Sequence, residues 1–255
     1  MSAAVGIPVI VAIAWRGGWP LLLLVGVLYL RGLWEMLRQL SGADLKLHYF
    51  LAVISGLTII LRAYTGDGGY PGALILALLI CTVPLVFFYP RYSPQEAGVT
   101  FFSTAYLSLF VYLYLLRLLP DGRYWLMLVL AATWTFDTVA YFAGRSLGKR
   151  RLTPRLSPGK TIVGFGAGLC GSAVAAGLFT IWLPVQPLGL VVTGLALGAS
   201  GQVGDLVFSA VKRAAGRKDA GRLIPGHGGV MDRFDSMLLT APLVYTVARW
   251  LMNTG

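Results

Sequence analysis

The chain has 255 residues, 57% of them hydrophobic and 12% charged, with a mean hydropathy of +0.74. An ordinary soluble domain is excluded, since about a quarter of its residues would be charged. The formal net charge of +11 does not signal nucleic-acid binding, because no soluble basic module is present. The cations fall in loops between apolar runs, where anionic membrane lipids explain them.

Apolar runs of spanning length recur along the chain. They predict an all-α polytopic integral membrane protein of about nine transmembrane helices, roughly over 2–15, 19–38, 47–64, 71–89, 98–118, 123–144, 162–182, 187–212 and 236–252. Residues 1–255 read as a single integral membrane domain, with N-terminal helices over 1–122 and the chemistry over 123–255. No polar linker, low-complexity segment or internal repeat divides it.

The first run, Met1 to Ala14, has the length of a signal peptide but lacks a basic start, and Trp15-Arg16 follows where small residues would mark cleavage. It reads as a retained helix, and Pro8 is placed to kink it. Glu35, between Arg31 and Arg38 at the end of the second helix, reads as a structural ion pair. His48 reads as an interfacial residue. Cys81 and Cys170 lie in apolar segments and read as small buried residues, with neither a disulfide framework nor a zinc pattern.

Positive charge orients the chain. Arg145, Lys149, Arg150, Arg151, Arg155 and Lys160 follow the sixth helix; Lys212, Arg213, Arg217, Lys218, Arg222 and Arg233 follow the eighth. Together they are 12 of the 21 lysines and arginines. Both loops follow even-numbered helices, so both face the cytoplasm when the N-terminus does. The C-terminus is then outside.

Residues 212–235 are the most telling stretch. They combine those six cations with Asp219, Asp232, Asp235, His227 and the glycine-rich turn Pro225-Gly226-His227-Gly228-Gly229. Glycines let backbone approach a ligand closely. Mixed cations and carboxylates beside a membrane suit a site that holds phosphates together with a divalent metal. Just upstream, Asp205, Phe208, Ser209 and Lys212 share one helix face at i, i+3, i+4 and i+7. Asp205 with Asp219, Asp232 and Asp235 supplies enough oxygens for magnesium, which takes one or two carboxylates plus water and phosphate.

Asp137 is a second intramembrane carboxylate. Its reading is open between an ion pair with a loop arginine and a place in the site. Leu156-Ser157-Pro158-Gly159-Lys160-Thr161 opens the seventh helix, with Ser157 as its cap and Lys160 in reach of a phosphate. It is not a Walker A loop, because the upstream glycine spacing is wrong.

The chain resembles the phosphatidate cytidylyltransferase (CDP-diacylglycerol synthase) family over about residues 134–236. The resemblance rests on Ser209-x-x-Lys212-Arg213, Lys218-Asp219-x-Gly221, Pro225-Gly226-His227-Gly228-Gly229 and Asp232-Arg233-x-Asp235. Asp137 with Ala140-Tyr141 and Gly144, Ser157-Pro158-x-Lys160-Thr161 and Gly204-Asp205-Leu206 add to it. Two positions depart: Val163 and Phe208 stand where the family usually has glutamate. Each removes a carboxylate beside the site and leaves room for altered metal use, altered substrate or weakened activity.

The resemblance implies transfer of a cytidylyl group from CTP to phosphatidate, with magnesium; a second metal or a monovalent cation is left open. It implies Asp205 and Asp232 as metal ligands, and Lys212, Arg213, Lys218, Asp219, His227, Arg233 and Asp235 as catalytic residues. Asp137, Ser157, Lys160, Thr161 and Ser209 would bind substrate. The expected location is the inner (cytoplasmic) membrane, multi-pass, with the site facing the cytoplasm. A homodimer is expected on general grounds, though no motif demands it. Three rivals compete: an enzyme acting on an isoprenoid lipid, a transporter or lipid-binding scaffold, and a non-catalytic homologue.

Overall fold

As a computed structural model, the protein is described over residues 2–41, 46–65, 70–216 and 229–254. In chain order the elements are α1 (Ser2–Arg16), α2 (Gly18–Ser41), α3 (Tyr49–Thr65), α4 (Tyr70–Thr82), α5 (Pro84–Phe88), α6 (Pro94–Ser108), α7 (Val111–Leu118) and α8 (Gly122–Leu147). There follow strands β1 (Arg151–Thr153) and β2 (Ser157–Thr161), then α9 (Ile162–Gly177), a 3₁₀ turn (Leu178–Ile181), α10 (Pro187–Ala214) and α11 (Met231–Thr254). Among the described residues six helical stretches are long and apolar enough to cross a membrane: Gly18–Ser41, Tyr70–Phe88, Pro94–Leu118, Gly122–Leu147, Ile162–Ile181 and Pro187–Ala214. Gly6–Arg16 and Tyr49–Thr65 are apolar but shorter. The architecture is that of a helical membrane protein.

Three local differences from the sequence expectation have physical causes. The helix predicted from 98 begins at Pro94, because a capping box satisfies its first turn: Glu96 N–H donates to Ser93 Oγ at 3.3 Å and Ser93 N–H to Glu96 Oε2 at 2.9 Å. The helix predicted over 71–89 is divided, and Pro84, which has no N–H to continue the ladder, opens its second part.

Third, Ser157 does not cap a helix. Residues 151–161 form an antiparallel hairpin in which Arg151 pairs with Thr161 and Thr153 with Ser157. Proline disfavours helical backbone in the residue before it. Pro154 and Pro158 therefore hold Thr153 and Ser157 extended. The cap of α9 is Thr161, whose Oγ1 accepts from Gly164 N–H at 3.1 Å. Among the described residues a short β element thus joins the helices.

The described chain falls into two compact units that interleave in sequence. The first comprises 1–17, 115–210 and 235–255, the second 18–114 and 211–234. In the first, helices approach closely through glycines. A Cβ on Gly164 of α9 would lie 2.6 Å from the Ala140 carbonyl oxygen of α8, and one on Gly204 of α10 would lie 2.7 Å from that of Asp235 on α11. Ser172 Oγ of α9 donates to Gly194 O of α10 at 2.9 Å. Only side chains of a single hydrogen permit such contacts.

In the second unit, Tyr29 of α2 donates to Ala52 O of α3 at 2.6 Å, and Tyr92 donates to Cys81 O at 2.7 Å. Ile59, Ala73 and Ala77 form an apolar cluster beside Phe101. His48 Nε2 lies 3.6 Å from Glu96 Oε2, with its ring edge-on to Tyr92. Cys81 is buried as expected, but Cys170 is exposed. It sits on an apolar face of α9 that turns outward, where hydrophobic character no longer implies burial.

Candidate active site

The first unit holds a cavity of about 600 Å³ whose wall includes Asp137 and Tyr141 of α8, Ser157, Lys160 and Thr161 of β2, and Gln202 and Asp205 of α10. Helix packing explains why these meet. The glycine contacts of α8 with α9 bring the hairpin beside the C-terminal turns of α8, and β2 then carries Lys160 to α10. Lys160 Nζ donates to Asp205 Oδ2, while Ser209 Oγ, one turn along the same helix, donates to Asp205 Oδ1 at 3.2 Å.

The cavity is electrostatically mixed. Lys160, Arg145 and Arg151 line it together with Asp137 and Asp205. Arg145 Nη1 donates to Tyr141 Oη at 2.9 Å, which fixes one guanidinium at the wall. A cavity lined by both cations and carboxylates can hold polyphosphate oxygens directly and through a divalent ion. Asp137 is exposed on this wall, which places it in the cavity lining.

Asp235 also belongs to the first unit. It is buried, and its Oδ1 accepts from Ser236 N–H at 2.8 Å.

The second unit carries the other part of the charged signature. Lys212 Nζ donates to Asp232 Oδ1 at 2.5 Å, and Gly229 N–H donates to Asp232 Oδ2 at 2.9 Å. Arg213 and Arg233 are exposed. Glu35 corrects the expectation of a simple ion pair: Oε1 accepts from Val230 N–H at 2.7 Å and Oε2 from Met231 N–H at 2.9 Å. Its carboxylate thus meets the first orphan donors of α11.

Lys218, Asp219 and His227 lie outside the described residues, as do Arg217, Gly221, Arg222, Pro225, Gly226 and Gly228. Among the described residues, no three His, Cys, Asp or Glu side chains gather as a metal cluster. Magnesium asks for less, one or two carboxylates being enough when phosphates and water complete its shell. Asp205 and Asp232 each hold a lysine ammonium, so each carboxylate already receives a cation. Taken singly, each carboxylate offers oxygen donors of the kind magnesium takes.

Sequence reasoning missed the cavity role of Gln202. Its Nε2 is buried without a hydrogen-bond partner among the described residues. A signal existed: Gln202 lies three residues before Asp205, hence on the same helix face. Val163 is exposed on the first turn of α9, whereas Phe208 is fully buried.

A helical membrane protein with a lysine–aspartate pair on the wall of a cavity lined by charges of both signs suits the class of enzymes that handle phosphorylated groups at a lipid surface. Comparison makes this specific. The model of the cytidylyltransferase family matches residues 1–251, and the chain belongs to that family. It is 34% identical over 252 residues to the phosphatidate cytidylyltransferase of Staphylococcus haemolyticus, covering 96% of this chain and 95% of that one. It is 34% identical over 254 residues to that of Staphylococcus saprophyticus, with the same coverage. With that of Bacillus subtilis it shares 38% identity over 177 residues, 68% of this chain and 65% of the relative.

Proposed function

We propose that this chain transfers a cytidylyl group from CTP to phosphatidate, yielding CDP-diacylglycerol and pyrophosphate. The observation that carries the reading is the Lys160–Asp205 pair on the wall of a roughly 600 Å³ cavity, in a chain of the cytidylyltransferase family. Together they supply an anion-binding cation and a metal-binding carboxylate where a nucleotide is to be held.

The phosphatidate monoester has a second pKa near 6, so at neutral pH one of its oxygens is already a nucleophile and needs no strong base. That oxygen attacks the α-phosphorus of CTP. A new P–O bond joins the two phosphates, the bond to the β-phosphate oxygen breaks, and pyrophosphate leaves. The protein's task is to bring two polyanions together and to stabilise charge on the leaving group.

Lys160 has three donors, so it can hold Asp205 and a phosphate oxygen at once. Ser157, Thr161 and Asp137 line the same wall and orient substrate, with Ser209 fixing the Asp205 carboxylate. In the second unit Lys212, Arg213 and Arg233 are assigned to phosphates. Lys218, Asp219 and His227 are assigned from the signature alone, and Asp235 orients neighbouring groups.

Asp205 and Asp232 are the carboxylates we assign to magnesium, which when bound neutralises developing charge on phosphate oxygens. The excess of lysine and arginine in the loops supports a site at the cytoplasmic face of the inner membrane, where soluble CTP would meet a lipid in the leaflet. A homodimer is part of the same reading.

The test is a product assay on purified protein in mixed micelles with labelled CTP, phosphatidate and magnesium. Lipid-extractable CDP product with matching pyrophosphate release supports the reading. Folded protein that makes no product from phosphatidate, but does from a prenyl phosphate, sinks it.

A further inference from the structure

Glu35 and the start of α11 are 195 residues apart in the chain, yet the two oxygens of one carboxylate accept from two consecutive backbone N–H groups, Val230 at 2.7 Å and Met231 at 2.9 Å. The side chain is only 4% exposed. A buried carboxylate is costly unless its lone pairs are satisfied, and charge-assisted bonds to N–H groups meet that cost. The helix dipole adds to the attraction at an N-terminus. The approach is prepared one turn earlier on α2. A Cβ on Gly32 would lie 2.9 Å from Met231 Sδ, so the glycine leaves room for Met231.

The clamped residues immediately precede Asp232. Gly229 N–H donates to Asp232 Oδ2 and Lys212 Nζ to Oδ1. One carboxylate oxygen of Asp232 is therefore held by the backbone of the 229–232 turn and the other by Lys212, and Glu35 holds the middle of that turn. We propose, resting on the cytidylyl-transfer reading, that Glu35 is a positioning residue for the reaction: it fixes the backbone of Val230 and Met231 so that Asp232 stays in register with Lys212. Both Glu35 carboxylate oxygens are taken up by backbone N–H groups, so no contact with substrate is assigned to it. Its chemistry is specific, since glutamine offers a single acceptor oxygen and turns its NH₂ toward the other N–H group. Aspartate is one methylene short.

The experiment compares wild type, Glu35→Ala, Glu35→Gln and Glu35→Asp as full-length protein in mixed micelles. Ser93→Ala, which removes the side-chain acceptor of the α6 capping box, serves as the control for lost stability. Turnover, CTP KM, thermal midpoint and hydrogen exchange of the 229–233 amides are measured. Misplacing a reacting group by about 1 Å costs roughly 100-fold in rate. Glu35→Ala is therefore expected to lower kcat by about 10- to 100-fold per folded molecule, with CTP KM moved by less than about threefold. The Val230 and Met231 amides should exchange faster, and Glu35→Gln should fall between alanine and wild type.

If Glu35→Ala and Glu35→Gln keep kcat within about twofold of wild type, the proposal is wrong. It is equally wrong if their activity falls only with the folded fraction, as in Ser93→Ala. Should the alanine variant not fold, glutamine and aspartate carry the same comparison. A wild type that makes no CDP-lipid overturns the functional reading instead. Hydrogen exchange then still tests the clamp, because unprotected Val230 and Met231 amides in wild type would overturn it independently.

Discussion

Lys160 on β2 and Asp205 on α10 form an ion pair across 45 residues of sequence, and Ser209 holds the other oxygen of the same carboxylate. If the pair acts as one unit on bound phosphate, its members are not independent. Asp205→Asn should lower kcat by roughly 10²–10³, the scale for losing one group that stabilises transition-state charge. Lys160→Met should fall in the same range, and the double variant should lose much less than the product of the two. Steady-state turnover with labelled CTP checks this; strictly multiplicative losses would show that the two residues act separately.

Magnesium dependence gives a second prediction. Chelation by excess EDTA should stop product formation and added magnesium should restore it. Asp232→Asn should raise the magnesium concentration for half-maximal activity by at least about tenfold, the scale on which disturbed ligand sets weaken metal sites. An unchanged magnesium titration in folded Asp232→Asn would remove Asp232 from the metal's ligands.

Ser93→Ala should act on stability alone. It removes the side-chain acceptor of the α6 capping box, which typically costs about 1 kcal/mol. A lower thermal midpoint in detergent with normal kcat per folded molecule is expected. Loss of kcat would tie α6 to the chemistry.

Gly204→Ala should harm both stability and turnover. The new Cβ would meet Asp235 O at 2.7 Å, and overpacking of this kind costs about 1–3 kcal/mol. Relief requires α10 to move from α11, and the next residue on α10 is Asp205. A thermal melt and kcat measured together test it; a variant normal in both would show that the contact relaxes without cost.

The two departures from the family pattern should respond in opposite ways to glutamate. Val163 is exposed on the first turn of α9, so Val163→Glu buries no charge inside the protein and should move the thermal midpoint less than the same change at Phe208. Phe208 is 0% exposed, and a carboxylate placed there loses its hydration. Phe208→Glu should therefore lower the thermal midpoint markedly. Equal midpoints for the two variants would mean that a partner near position 208 receives the charge.

Much of this protein is legible without a fold. Apolar runs of spanning length have few alternatives to helices, because unsatisfied backbone groups are too costly in hydrocarbon. The Asp205–Ser209 contact follows from helical spacing alone. Element ends were less legible where polar residues build a cap, as at Ser93 and Glu96, or where proline forbids helix, as in the 151–161 hairpin. Hydropathy does not sense either effect.

Sequence by itself determined the membrane class, the family and the set of charged residues, since these depend on composition and on neighbours along one helix. Tertiary structure decided which charges meet. Lys160 reaches Asp205 because glycine contacts bring α8, α9 and α10 together around the hairpin. Glu35 is the clearest case. Its partners are backbone N–H groups 195 residues away, and every residue except proline has one. No side-chain pattern can announce such a bond; only the packing of α2 against the start of α11 selects it.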